Sequence, residues 1–195
     1  MGRCATKWNC VAVVLLCGLL RAQSPRPLVQ KFTLEDPTGR IVTYSASESK
    51  ATIVIFASTR CPISNAFNSR INSLYNEFRD KTRFLVVDSN VNESAREVQA
   101  HAREMQYDFP VYLDIRNQLA DLLGAIATPD SFVIDKHGAI SYHGYIEDAP
   151  NPERSKNRAL RWAIEAALQD RPAPVAETHA RGCAIRRADS AASSR

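Results

Sequence analysis

Cys61 stands where an apolar run stops and an amphipathic segment begins, in Thr52-Ile-Val-Ile-Phe-Ala-Ser-Thr-Arg-Cys61-Pro-Ile-Ser-Asn65. A thiol at the opening of a helix meets unpaired backbone N–H groups and partial positive charge. Both favour the thiolate, the form that attacks disulfides and peroxides. A second cysteine lies far downstream in Arg181-Gly-Cys183-Ala-Ile-Arg-Arg187. There Gly182 permits a close backbone approach, and three arginines favour an ionised sulfur. Such residues offer thiol redox chemistry.

The remaining three of the five cysteines, Cys4, Cys10 and Cys17, fall within the first 22 residues. That segment reads as a secretory signal peptide, with a basic start at Arg3 and Lys7, an apolar stretch from Val11 to Leu20, and a small residue at the cut in Leu20-Arg21-Ala22. The apolar stretch is well short of the ~20 residues that span a bilayer. A lipoprotein reading through Cys17 meets Leu16 where a small residue is wanted. Export places the protein in the bacterial periplasm or outside the cell, where disulfides persist. One structural disulfide between Cys61 and Cys183 is therefore an equally natural use of the pair. Cleavage leaves 173 of the 195 residues, enough for one domain with its own core. It also reduces 25 basic residues against 21 acidic ones to 22 against 21. That balance gives no attraction to nucleic acid, and nothing in the mature sequence reads as a stable membrane span.

The elements that must position Cys61 follow from periodicity. After a linker at 23–27, Lys31 to Leu34 and Ile41 to Tyr44 alternate around Asp36-Pro-Thr-Gly39, a hairpin signal. Thr52 to Phe56 and Arg83 to Val87 are β-branched runs suited to strands covered on both faces. Between them Ile63, Phe67, Ile71, Leu74, Tyr75 and Phe78 form one helical stripe, so the unit is βαβ and parallel. A polar helix over Glu93 to Met105, a strand over Phe109 to Leu113 and a short helix over Asn117 to Leu123 come next. Ser131 to Ile134 and Ala139 to His143 make a second hairpin, and Ala159 to Leu168 a closing helix. From Arg171 the Pro-, Ala- and Ser-rich composition predicts a flexible tail, carrying Cys183. The fold class is α/β, with a central mixed sheet flanked by helices, an N-terminal β-hairpin and one domain over 28–170.

Two segments resemble a known family. Phe56-Ala-Ser-Thr-Arg-Cys61-Pro-Ile-Ser64 is similar to the active-site turn of thioredoxin-like proteins. Thr128-Pro129 followed by Ser131-Phe-Val-Ile-Asp135-Lys-His-Gly138 resembles the segment around that superfamily's cis-proline. Within it, the likeness is to redoxin proteins of the alkyl hydroperoxide reductase/thiol-specific antioxidant (AhpC/TSA) type. The resemblance implies a thioredoxin-like fold, Cys61 as nucleophile, and Pro129 in a cis bond beside it. Thr128 would then be free to pair with an extended substrate.

The departures from the family pattern shape the expected chemistry. Cys-x-x-Ser closes no local disulfide, so Ser64 either hydrogen-bonds the Cys61 thiolate or is a plain helix-start residue. Peroxidatic members carry Pro-x-x-x-Thr-x-x-Cys; here Val54 stands for the proline and Ser58 for the threonine. Arg60 is positioned to add positive charge, or is simply solvated. With no second thiol in the motif, Cys183 becomes the candidate to resolve oxidised Cys61, and the tail is long enough to reach it. The expected catalytic set is Cys61, Ser64 and Cys183, with Thr128, Pro129 and Arg60 on the substrate side. The substrates would be a peroxide or a thiol/disulfide protein partner, the electrons would come from thiols, and no dissociable cofactor is implied. A non-catalytic partner-binding module with a static Cys61–Cys183 bridge is the alternative. No metal site is expected: His101 and His137 read as surface residues, His179 and Cys183 alone are too few ligands, and Asn65 replaces the second cysteine that Sco-type copper chaperones need.

Overall fold

The structure is a computed structural model in which residues 28–188 are described. The expected signal at 1–22, the linker at 23–27 and residues 189–195 lie outside them. The first hairpin forms from β1 (Lys31–Glu35) and β2 (Ile41–Ser45), with Phe32 opposite Tyr44 and Leu34 opposite Val42. β3 (Ala51–Ala57) follows and is buried along its whole length. Ile53 and Ile55 enter one apolar cluster and Val54 and Phe56 the other. Alternation along a strand sends successive side chains to opposite faces, so an unbroken apolar run requires cover on both.

The segment after β3 breaks into α1 (Pro62–Asn65) and α2 (Asn68–Phe78), with Ala66 and Phe67 in a turn between them. The single stripe expected from Ile63 onward therefore starts at Phe67. Ser64 turns inward, and Ile63 is left 43% exposed. β4 (Arg83–Asp88) returns parallel to β3. α3 (Ala95–Glu104) starts from a capping box in which Ser94 and Glu97 satisfy each other's backbone N–H groups. β5 (Val111–Leu113), α4 (Gln118–Leu123), β6 (Ala127–Thr128), β7 (Asp130–Asp135), β8 (Ile140–Gly144) and α5 (Ala159–Leu168) complete the domain.

The main sheet runs β2-β1-β5-β4-β3-β7-β8. β3, β4 and β5 are parallel, while β7 and β8 are antiparallel additions. Residues of α2 and α5, with Val98 of α3, cover one face; α4 packs on the other, where Phe32, Leu34 and Tyr44 of the first hairpin join the cluster.

The segment from Arg171 departs from the expected flexible tail. Ala176 and Thr178 exchange backbone hydrogen bonds with His143 at 3.1 and 2.9 Å, and the Thr178 hydroxyl lies 2.8 Å from that of Tyr142. β9 (Cys183–Ala184) then pairs antiparallel with β6. Ile185 is buried in the core, Val91 N–H donates to the Arg186 carbonyl at 3.0 Å, and Arg187 pairs with Asp121. The composition lacks a periodic apolar face, but a strap needs none. Its order comes from backbone groups meeting an open strand edge, with Ile185 as anchor.

Candidate redox site

Cys61 caps the N-terminus of α1, and its sulfur accepts the Ser64 backbone N–H at 3.4 Å. It is only 1% exposed. On its other side lies the loop with the cis Thr128–Pro129 bond, as the family resemblance implied. As a thiol Cys61 donates to the Thr128 carbonyl at 3.1 Å, a contact that favours the protonated form. Burial also resists ionisation, but the Cys183 thiol, the backbone N–H groups of Ser64 and Cys183, and the Thr128 side chain together bring its pKa below the ordinary thiol value. Cys183 moves the opposite way, raised first by its hydrogen bond to Cys61, then by burial and by repulsion from the Cys61 charge. The two shifts run in opposite directions, so Cys61 is the first of the pair to ionise.

The strap brings the two thiols together. β9 places Cys183 opposite Thr128 and Ala184 opposite Ala127, and Ile185 N–H donates to the Ile126 carbonyl at 3.0 Å. Gly182 fits because nothing else would: a Cβ there would sit 1.9 Å from the Thr128 carbonyl oxygen. Gly144 has the same function upstream, at φ +146°, where a Cβ would meet the Thr178 hydroxyl at 2.0 Å. Both cysteines are free thiols, Cys61 buried and Cys183 exposed.

Two readings are open for Ser64 and for Arg60, and neither side chain is found on the Cys61 sulfur. Ser64 contacts the sulfur through its backbone N–H, while its hydroxyl accepts the Ser58 N–H at 3.2 Å. Arg60 points away from the sulfur and pairs with Glu97 at 2.7 Å, with half of its side chain exposed. His101 is not a free surface residue either. It meets Asn65 Oδ1 at 3.0 Å and packs edge-on against Tyr107. Among the described residues no cluster of three or more His, Cys, Asp or Glu is placed to hold a metal.

The sequence reading missed a buried pair of acids that braces the Cys61 turn. Glu93 accepts from the Ser58 hydroxyl at 2.5 Å, from the Thr59 N–H at 2.7 Å, and from the Thr59 hydroxyl. Ser58 Oγ in turn accepts the Arg60 N–H at 3.2 Å. Asp88, at the end of β4, accepts the Asn90 N–H at 2.8 Å through one oxygen. Burial, then its hydrogen bond to Glu93 and that carboxylate's charge, push Asp88 up to about 8. Burial would raise Glu93 too, but the bonds from Asp88, Ser58 and Thr59 overcome it and lower its pKa. Asp88 therefore holds a proton at neutral pH and donates it to an ionised Glu93. Asp88 closes a strand and Glu93 lies in the following loop, where sequence alone gives no sign that they meet.

A buried cysteine at a strand–helix junction, facing a cis-proline loop on a mixed sheet with helices on both faces, defines a thioredoxin-like domain. The AhpC/TSA family model matches residues 27–143, and the chain belongs to that family. The chain is 27% identical over 109 residues to the thiol-disulfide oxidoreductase ResA of Halalkalibacterium halodurans, a match covering 56% of this chain and 61% of that protein. An uncharacterized conserved protein from Geobacillus kaustophilus superposes with a TM-score of 0.76 at 25% identity, over 86% of this chain and 94% of that one. A hypothetical protein from Sinorhizobium meliloti 1021 does so with a TM-score of 0.74, also at 25% identity, over 86% and 97% of the two chains. Among the described residues no helix is long and apolar enough to cross a membrane.

Proposed function

We propose that the protein is an exported thiol oxidoreductase that exchanges disulfides with protein partners through Cys61, with Cys183 of the same chain as the resolving thiol. The observation that carries this reading is the placement of Cys183 against Cys61 by the β6–β9 pairing, with Cys61 the first of the two thiols to ionise. In the cycle, the Cys61 thiolate attacks a partner disulfide and forms a mixed disulfide, releasing one partner thiolate. Cys183, losing its proton, then attacks the Cys61 sulfur and releases the other. The partner gains two electrons, the chain is left with a Cys61–Cys183 bridge, and an external dithiol resets it. Export rests on the basic start and apolar stretch of residues 1–22. The 27% identity to a thiol-disulfide oxidoreductase supports the same class of reaction.

Peroxide as oxidant would enter the same cycle at Cys61 but has less support. The Ser58 hydroxyl is committed to Glu93 and the Arg60 guanidinium to Glu97, so the groups expected to activate a peroxide are engaged elsewhere. The test is equilibration of the protein with glutathione mixtures of graded potential, followed by mapping of the cysteines. A redox-active pair should open and close within the range of thiol oxidoreductases, about −120 to −270 mV. A bridge that stays closed in every mixture would make it structural. Failure to form a Cys61–Cys183 bridge would remove Cys183 as the resolving thiol.

A further inference from the structure

Three features of the strap bear on what reaches Cys61. It pairs with β6, a two-residue strand whose only partner among the described residues is β9. It lies against Cys61, which is almost wholly buried. Moreover, it fits only because residue 182 has no side chain, since a Cβ would meet the Thr128 carbonyl carbon at 2.5 Å and its oxygen closer still. Both of those atoms are backbone, so they cannot swing aside as a flexible side chain would.

We propose that the strap is a displaceable occupant of the β6 edge, and that the protein substrates of Cys61 are extended segments with glycine immediately before the reacting cysteine. The inference rests on the thiol-exchange reading above and adds to it the substrate class and the gate. An extended segment pairing with Ala127–Thr128 in the register of β9 brings its cysteine to Cys61, as the chain's own Cys183 is brought there. The residue before that cysteine then lies over the Thr128 carbonyl, where only glycine is tolerated. Exchange forms the Cys61–substrate disulfide and releases the other half of the substrate's disulfide as a thiolate. Return of the strap to the same edge both expels the substrate segment and delivers Cys183 to the Cys61 sulfur. The substrate leaves as a thiolate, and the bridge forms within the chain.

Release of the strap must open the bonds from Arg186 N–H to Asn90 Oδ1 and from Ala188 N–H to Asn117 Oδ1, both 2.9 Å, but little apolar surface. Cys183 and most of the segment around it are exposed, and only Ile185 is buried between Arg181 and Ala188. Arg187 supplies the far anchor, through Asp121 and the Ala125 carbonyl.

The test uses the full chain carrying Cys183→Ser, so that the internal thiol no longer competes. The probes are the peptides Arg-Gly-Cys-Ala-Ile and Arg-Ala-Cys-Ala-Ile, each as its thionitrobenzoate mixed disulfide, with adducts on Cys61 quantified by peptide mapping. The glycine peptide should modify Cys61 at least about tenfold faster, as expected from a barrier difference of one decade or more. Loosening the strap by Gly182→Ala, or independently by Arg187→Ala, should speed modification by the glycine peptide several-fold. Equal rates for the two peptides, or strap variants that react no faster, would overturn the inference. Methyl methanethiosulfonate separates the two levels of failure. If it modifies Cys61 in the loosened strap variants while the peptides do not discriminate, the gate and the glycine rule fail and the thiol reading stands. If Cys61 resists even this small reagent there, both fall.

Discussion

The proton shared between Asp88 and Glu93 makes stability depend on pH in a direction opposite to that of most carboxylates. Asp88 is held protonated to about 8 in the folded protein, against 3.8 for the ordinary group. The folded state therefore binds a proton that the unfolded chain has lost. The resulting stabilisation is fully present below pH 3.8 and is lost as pH rises through about 8. One such group gives a slope of at most about 1.4 kcal/mol per pH unit, hence up to roughly 2.7 kcal/mol between pH 5 and pH 7. In a domain of this size that is a fall in melting temperature of about 5–10 °C. Glu93 acts at the other end: its lowered pKa contributes stability above 4.5 that is lost as pH falls below it. Between pH 5 and 8 Asp88 is the group of the pair that changes. Asp88→Asn keeps a donor toward Glu93 and an acceptor for the Asn90 N–H without any ionisation. Urea unfolding of both proteins at pH 5, 6, 7 and 8 should show their stabilities converging at low pH and the variant gaining steadily above it. Because the thiols are the same in both, the difference between the two curves isolates Asp88. Parallel curves would refute the shared-proton assignment.

Other substitutions test the remaining contacts. Cys183→Ala removes the side-chain hydrogen bond that, after burial, is the largest influence on Cys61. The Cys61 thiolate, followed by its ultraviolet absorbance, should then form at a higher pH than in the wild type. Glu93→Gln leaves the Ser58 and Thr59 donors facing a neutral amide. Weakening of the three charge-assisted bonds that Glu93 accepts, each about 1.5–3 kcal/mol, should lower the denaturation midpoint by an amount equivalent to at least about 2 kcal/mol. Ile71→Ala, at a fully buried position, should cost about 2–5 kcal/mol, whereas Ile63→Ala on the exposed flank of α1 should stay within about 0.5 kcal/mol. Equal costs at the two positions in denaturant unfolding would contradict the break between α1 and α2.

The strands, the hairpins and the position of Cys61 were legible in the sequence because each is encoded locally. Ala51–Ala57 and Arg83–Asp88 are apolar runs bounded by polar turns, α5 has its apolar face at three- and four-residue steps, and the thiol falls where one period gives way to the other. Thr128-Pro129 could be placed beside it through the family resemblance alone. Three things were decided by tertiary structure. The rotation of α1 exchanged Ile63 for Ser64 on the inner side, since a four-residue helix is oriented by the loop it packs on rather than by its own period. The Asp88–Glu93 pair exists only because β4 ends beside the Ser58–Thr59 turn, and burial there drives one carboxyl to keep its proton. The strap, finally, has neither apolar period nor helix signal. Its order comes from backbone pairing to the open β6 edge, from a glycine small enough to cross Thr128, and from one buried isoleucine. The sequence by itself determined that a thiol opens a helix; only the folded edge of β6 determined which other thiol it meets, because backbone hydrogen bonds between distant segments leave no mark on composition or period.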